Sequence, residues 1–152
     1  MKNNKGFTLV EILAVIIIIG ILMIIAIPAV TKNISDSRAT TFIDTANKFI
    51  DVAIADITAL DYSVTNKDYT YYIPTKCLKT ENNANESPYG KFVKSYVVVT
   101  YNKDTGKNDY YFTAIDETGH GILLTARDNL TEDSIKTDLI DIDNKIGVGD
   151  RE

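Results

Sequence analysis

The sequence predicts an α+β protein: one long N-terminal α-helix, apolar in its first half and amphipathic in its second, packed on a small antiparallel β-sheet. Three observations lead there. Residues 7–30 read FTLVEILAVIIIIGILMIIAIPAV, with Glu11 as the single charge. Apolar residues then recur at helical spacing, at Ile34, Phe42, Ile43, Ala46, Phe49, Ile50, Ala53, Ile54, Ile57 and Leu60. Beyond these, β-branched and aromatic runs alternate with turn residues.

The first run is about 24 residues long, enough at ~1.5 Å per residue to cross the core of a bilayer. A secretory signal has an apolar stretch of only about 7–15 residues followed by a small-residue cleavage site. This run is longer and leads directly into the amphipathic helix, so it is expected to stay on the protein. Lys2 and Lys5 lie just before it and favour a cytoplasmic N-terminus, although Lys32 and Arg38 on the far side reduce the asymmetry.

Glu11 needs a reason, because an ionised carboxylate at the bilayer centre costs on the order of 3 kcal/mol. Two placements satisfy it. It lies about one turn from the helix start, where it reaches the headgroups and the positive end of the helix dipole. Alternatively it meets a positive charge, such as the amine created at Phe7 if residues 1–6 are removed. Gly20 is a poor helix former, and Pro28 lacks an N–H and crowds the preceding turn, so the stretch between them is weakened. A close helix contact at Gly20 and a modest kink at Pro28 are the simpler alternatives.

In the second half of the helix, Lys32, Asp36, Arg38, Asp44, Lys48, Asp51 and Asp56 occupy the faces away from the apolar stripe. The helix is expected to continue to about Leu60, bent and not ended by Pro28. Tyr69 to Pro74 then reads as one short extended piece within a surface loop that includes TENNANESPYG, residues 80–90. The runs SYVVVTYN (95–102) and DYYFTAID (109–116) predict an antiparallel hairpin. Gly119, His120 and Gly121 form a second turn, residues 122–125 a third strand, and residues 131–134 a helix start.

Composition narrows the function. With 152 residues, 45% of them hydrophobic, the chain supports one small domain plus an anchor. A net charge of −5 predicts no specific nucleic-acid partner. Cys77 is the sole cysteine, which excludes an internal disulfide, and it is expected to pack as a small buried hydrophobe. His120, the only histidine, sits between turn glycines, and no nucleophile, phosphate-loop or zinc motif accompanies it. No enzyme and no cofactor is predicted. Near the C-terminus Asp141, Asp143 and Asn144 form a weak calcium candidate that lacks the distal Glu of a full loop, and a solvated acidic tail is the plainer reading, so no metal is assigned.

Lys5-Gly6-Phe7-Thr8-Leu9-Val10-Glu11, followed by the apolar run, resembles the class III leader of type IV pilins and pseudopilins. The resemblance implies cleavage by a prepilin peptidase between Gly6 and Phe7 and methylation of the Phe7 amine. It also implies that Glu11 neutralises the terminal amine of a neighbouring subunit, and that the stretch from Gly20 to Pro28 loses helical hydrogen bonds in the fibre.

The implied domains are a leader (1–6), a membrane and filament-core helix (7–30), and an extracellular pilin-like domain (31–152) that includes the amphipathic part of the helix, about 31–60. The implied partners are other copies of the chain or minor pilins in a mixed filament, the peptidase, an inner-membrane assembly platform, and membrane lipid before assembly. The protein would span the cell membrane once, N-terminus cytoplasmic, and then enter an extracellular surface filament. A structural pilus subunit for adhesion or motility is the leading reading, favoured by the retention of Glu11. The alternatives are a pseudopilin of type II secretion or competence DNA uptake, and a monomeric membrane-anchored binding module.

Overall fold

Helix α1 (Leu9–Ala59) contains 51 residues and ends within a residue of the expected position. The computed structural model describes residues 7–59, 69–80 and 85–140. The chain divides into two units, Met1–Ser37 and Arg38–Glu152, and α1 contributes residues to both.

In the first unit every described residue from Phe7 to Ser37 is exposed. The most apolar 18-residue window of α1 has a mean hydropathy of 3.2 and none of it is buried. Such a helix is long and apolar enough to cross a membrane. Pro28 lies inside it, and the Thr31 hydroxyl donates to the carbonyls of Ile27 at 3.2 Å and Pro28 at 3.0 Å.

The second unit places the amphipathic part of α1 on a five-stranded antiparallel meander in the order β1-β2-β3-β4-β5. Its strands are β1 (Tyr69–Pro74), β2 (Phe92–Asn102), β3 (Lys107–Asp116), β4 (Gly121–Ala126) and β5 (Ile135–Lys136). Phe42, Ala46, Phe49, Ile50 and Ala53 are the buried residues of α1, a stripe at helical spacing. They share one core with Phe92, Val97, Val99, Phe112, Ala114 and Ile122 of the sheet. Phe49 stacks on Phe112 with ring centroids 6.2 Å apart, and Phe42 lies 5.7 Å from Phe92. Each fully buried side chain of this size contributes about 1.5–3 kcal/mol, so the stripe is what holds the helix to the sheet.

The expected hairpin is β2 and β3, joined by residues 103–106, and the third strand is β4. Three details differ from the sequence reading. The extended piece before Pro74 is a complete edge strand, paired with β2 from Tyr69↔Tyr101 to Pro74↔Tyr96. Its tyrosines have the pattern of a strand, but its partner lies more than twenty residues away, beyond reach of a local reading. Residues 131–134 form one 3₁₀ turn, in which Thr131 and Ser134 cap each other, and then enter β5 instead of a helix. Cys77 is exposed, in the 3₁₀ turn Thr75–Cys77, because that turn directs Thr75 inward and leaves the next two residues in solvent.

The β3–β4 turn is organised by Asp116, which is only 2% exposed. Its Oδ1 accepts bonds from the Thr118 N–H at 2.9 Å, the Thr118 hydroxyl at 2.6 Å and the His120 N–H at 3.1 Å. Its Oδ2 accepts the Ser87 hydroxyl at 2.5 Å, which ties the loop before β2 to the turn. The Tyr89 and His120 rings stack with centroids 4.1 Å apart, so His120 is a turn residue as expected, with a packing role added. Burial holds the Tyr89 phenol above its ordinary range; Arg38 opposes the shift, while Asp116 and Glu132 add to it.

Candidate functional site at the start of the apolar helix

The helix start is built by Thr8 and Glu11. Thr8 has the sequence position of an N-cap, and its Oγ1 accepts the Glu11 N–H at 3.3 Å. The Glu11 carboxylate folds back: its Oε2 accepts both the Thr8 N–H and the Thr8 hydroxyl, each at 2.8 Å. This reciprocal arrangement is a capping box, which satisfies donors that a helix start leaves open and sets a negative charge at the positive end of the dipole. Within this chain Glu11 thus sits at the positive end of the helix dipole, which is one part of the first placement inferred for it.

Phe7 precedes the helix and is 84% exposed, directly beside the capped residue. Phe7, Thr8 and Glu11 thus come together at one end of the helix. Gly20 and Pro28 lie further along, at about 1.5 Å per residue, and are not part of this cluster. A side chain at Gly20 would meet nothing within 4 Å among the described residues, so no close contact there explains the glycine. Gly6 lies outside the described residues, as do Asp141, Asp143 and Asn144.

Thr8 was not singled out from sequence as a capping residue. The signal is present in the sequence, since Thr-x-x-Glu ahead of an apolar run is the capping-box pattern. Chemically, the cluster presents an exposed Phe7, a carboxylate one turn away, and a long apolar surface uncovered by the rest of the described chain.

Fold and site together define a membrane-anchored α+β protein whose anchor helix starts with a capped acidic turn. The prokaryotic N-terminal methylation motif matches residues 1–27. The chain is 38% identical over 73 residues to the type IV wide pilus major component PilA4 of Thermus thermophilus, a match covering 46% of this chain and 49% of that protein. It is 55% identical over 40 residues to the type IV major alpha-pilin of Moraxella bovis, covering 26% of this chain and 25% of the relative. It is 64% identical over 31 residues to competence protein ComGC of Bacillus subtilis, covering 20% and 32%. The chain thus spans about half, or less, of the length of these relatives. No solved structure matches it significantly. The motif and the relatives support the type IV pilin and pseudopilin superfamily, and the motif itself lies in residues 1–27.

Proposed function

We propose that the chain is a structural, non-catalytic subunit of a type IV pilus-like filament, anchored in the membrane and then polymerised through α1. The observation that carries this reading is the apolar surface of α1, exposed throughout residues 7–30 and opened by the Thr8–Glu11 cap. Lipid covers that surface before assembly, and the same helix in other copies covers it afterwards. Lys2 and Lys5 favour a cytoplasmic N-terminus, which leaves the domain of residues 31–152 outside the cell.

In this reading a prepilin peptidase cuts between Gly6 and Phe7 and the Phe7 amine is methylated. The new amine lies one residue from the Thr8 N–H that Glu11 already accepts. Glu11 would then exchange its capping bonds for the amine of a neighbouring subunit at the assembly platform. The weakened stretch from Gly20 to Pro28 allows the helix to adjust as it packs.

Mass spectrometry of the native protein tests the processing step: a chain starting at methylated Phe7 is expected, and an intact segment 1–6 would leave only a monomeric membrane anchor. Glu11→Ala is expected to insert in the membrane as well as the wild type or better, because an intramembrane charge is lost, while filament yield drops. Cleavage is followed in parallel, and normal filaments from a correctly cleaved variant would overturn the assembly role. The likeness to a competence protein favours a second reading, a short pseudopilus. Imaging cells with an antibody to the exported domain separates long surface fibres from that case.

A further inference from the structure

We propose that Thr31 is the positioning residue of a hinge in α1. Its hydroxyl is a second donor for the Ile27 and Pro28 carbonyls, so the helix opens there without leaving either oxygen bare. The use of this hinge in a filament rests on the function proposed above; the hinge itself does not.

Pro28 lies inside α1 and has no N–H, so the Ile24 carbonyl receives no bond from it, and the proline ring crowds that same carbonyl. The neighbouring side chains supply no replacement. From Leu9 to Val30 the chain holds no hydroxyl, amide or basic side chain, and Thr31 is the first such donor after Thr8. In a bilayer, a carbonyl of this stretch that loses its backbone partner has neither water nor a side chain to turn to.

Thr31 ends that shortage at the C-terminal side of the proline. Its hydroxyl lies 3.2 Å from the Ile27 oxygen and 3.0 Å from the Pro28 oxygen. In a regular helix these two oxygens also accept the backbone N–H groups of residues 31 and 32, so each has two donors within reach. Thr45 and Thr58 behave differently: each donates to the carbonyl four residues back, at 2.8 and 2.7 Å. Thr31, three residues after the proline, divides its hydroxyl between two carbonyls. A hydroxyl has one proton, so it holds one oxygen and stands ready for the other. When a backbone N–H leaves either carbonyl, the hydroxyl takes its place. Threonines that bond back in this way loosen and bend helices, and here the effect falls at the end of the stretch from Gly20 to Pro28.

Amide hydrogen exchange of the full ¹⁵N-labelled chain in detergent micelles, read by NMR, tests the hinge. Thr31→Val keeps the branched shape and removes the hydroxyl, whereas Thr31→Ser keeps the hydroxyl. Protection of the Lys32 N–H, whose acceptor is the Pro28 carbonyl, should rise about fivefold in the valine variant, the effect of one neutral hydrogen bond lost from the open form. The serine variant should stay within about twofold of the wild type. Unchanged protection with valine, serine matching valine, or an equal rise at amides along the whole apolar run would overturn the proposal. Filament yield is compared in cells, with cleavage and insertion followed in parallel: valine should lower it severalfold and serine should not. Normal yield from the valine variant would overturn the use of the hinge in assembly. A wild type that forms no filaments would instead contradict the proposed function, and the exchange result would still decide the hinge.

Discussion

Replacing Asp116 with alanine removes the acceptor for four bonds at once: the Ser87 hydroxyl, the Thr118 N–H, the Thr118 hydroxyl and the His120 N–H. The two hydroxyls can rotate towards other partners or water, whereas the two N–H groups are fixed by the turn. Each donor left without a partner costs about 1–3 kcal/mol, so Asp116→Ala should lose about 2–4 kcal/mol. For a domain of this size that is a fall in Tm of roughly 10–25 °C.

Asp116→Asn is the informative comparison. Three of the four bonds converge on Oδ1, and an asparagine oxygen placed there keeps all three. The amide nitrogen then faces Ser87, whose oxygen already accepts the Tyr89 and Gly90 N–H groups at 3.0 and 3.1 Å, so the Ser87 bond is the one that is lost. The asparagine variant should therefore lose only about 1 kcal/mol. Thermal unfolding of the full chain in micelles, followed by near-UV circular dichroism, reports on the sheet domain with little contribution from the membrane helix. Equal damage from both variants, or a loss below about 1 kcal/mol from alanine, would show that the carboxylate does not organise the turn in this way.

Three further outcomes follow from the same contacts. A Cβ at Gly121 would run into the Ala114 carbonyl oxygen and lie 3.1 Å from the Ile115 Cα, so Gly121→Ala should cost about 3 kcal/mol in a denaturant titration, since β3 must shift to admit it. The Tyr89 phenol has a raised pKa and keeps its proton after an unfolded tyrosine has lost its own, so its contribution is complete below about pH 10 and is lost as pH rises beyond. Tyr89→Phe should accordingly flatten the alkaline fall in stability measured by unfolding at successive pH values, and an unchanged slope would contradict the assignment. Gly20→Ala meets no obstruction and adds about 1 kcal/mol of helix propensity, so insertion should be unchanged while filament yield falls if the helix must loosen there; equal yield in sheared-fibre preparations would refute that need.

By itself the sequence determined the membrane-length helix, its amphipathic continuation and the β2–β3 hairpin. These are local properties: run length, a period of 3.6 or 2, and a turn between adjacent runs can be read without knowing what packs against them. The methylation motif was legible for the same reason, since it lies in one continuous run of residues 1–27. Tertiary structure alone decided the remainder. Tyr69 to Pro74 became an edge strand only because β2 returns alongside it, and Cys77 was left in solvent because a 3₁₀ turn buries Thr75. Val98 is buried although Val97 and Val99 already face the helix, because the register sets it between Tyr72 and Tyr111 on the opposite face. Asp116 looked like the end of a strand and proved to be the buried acceptor that joins a distant loop to its turn. In each case the outcome depended on a partner far along the chain, and only the folded sheet determines which partner that is.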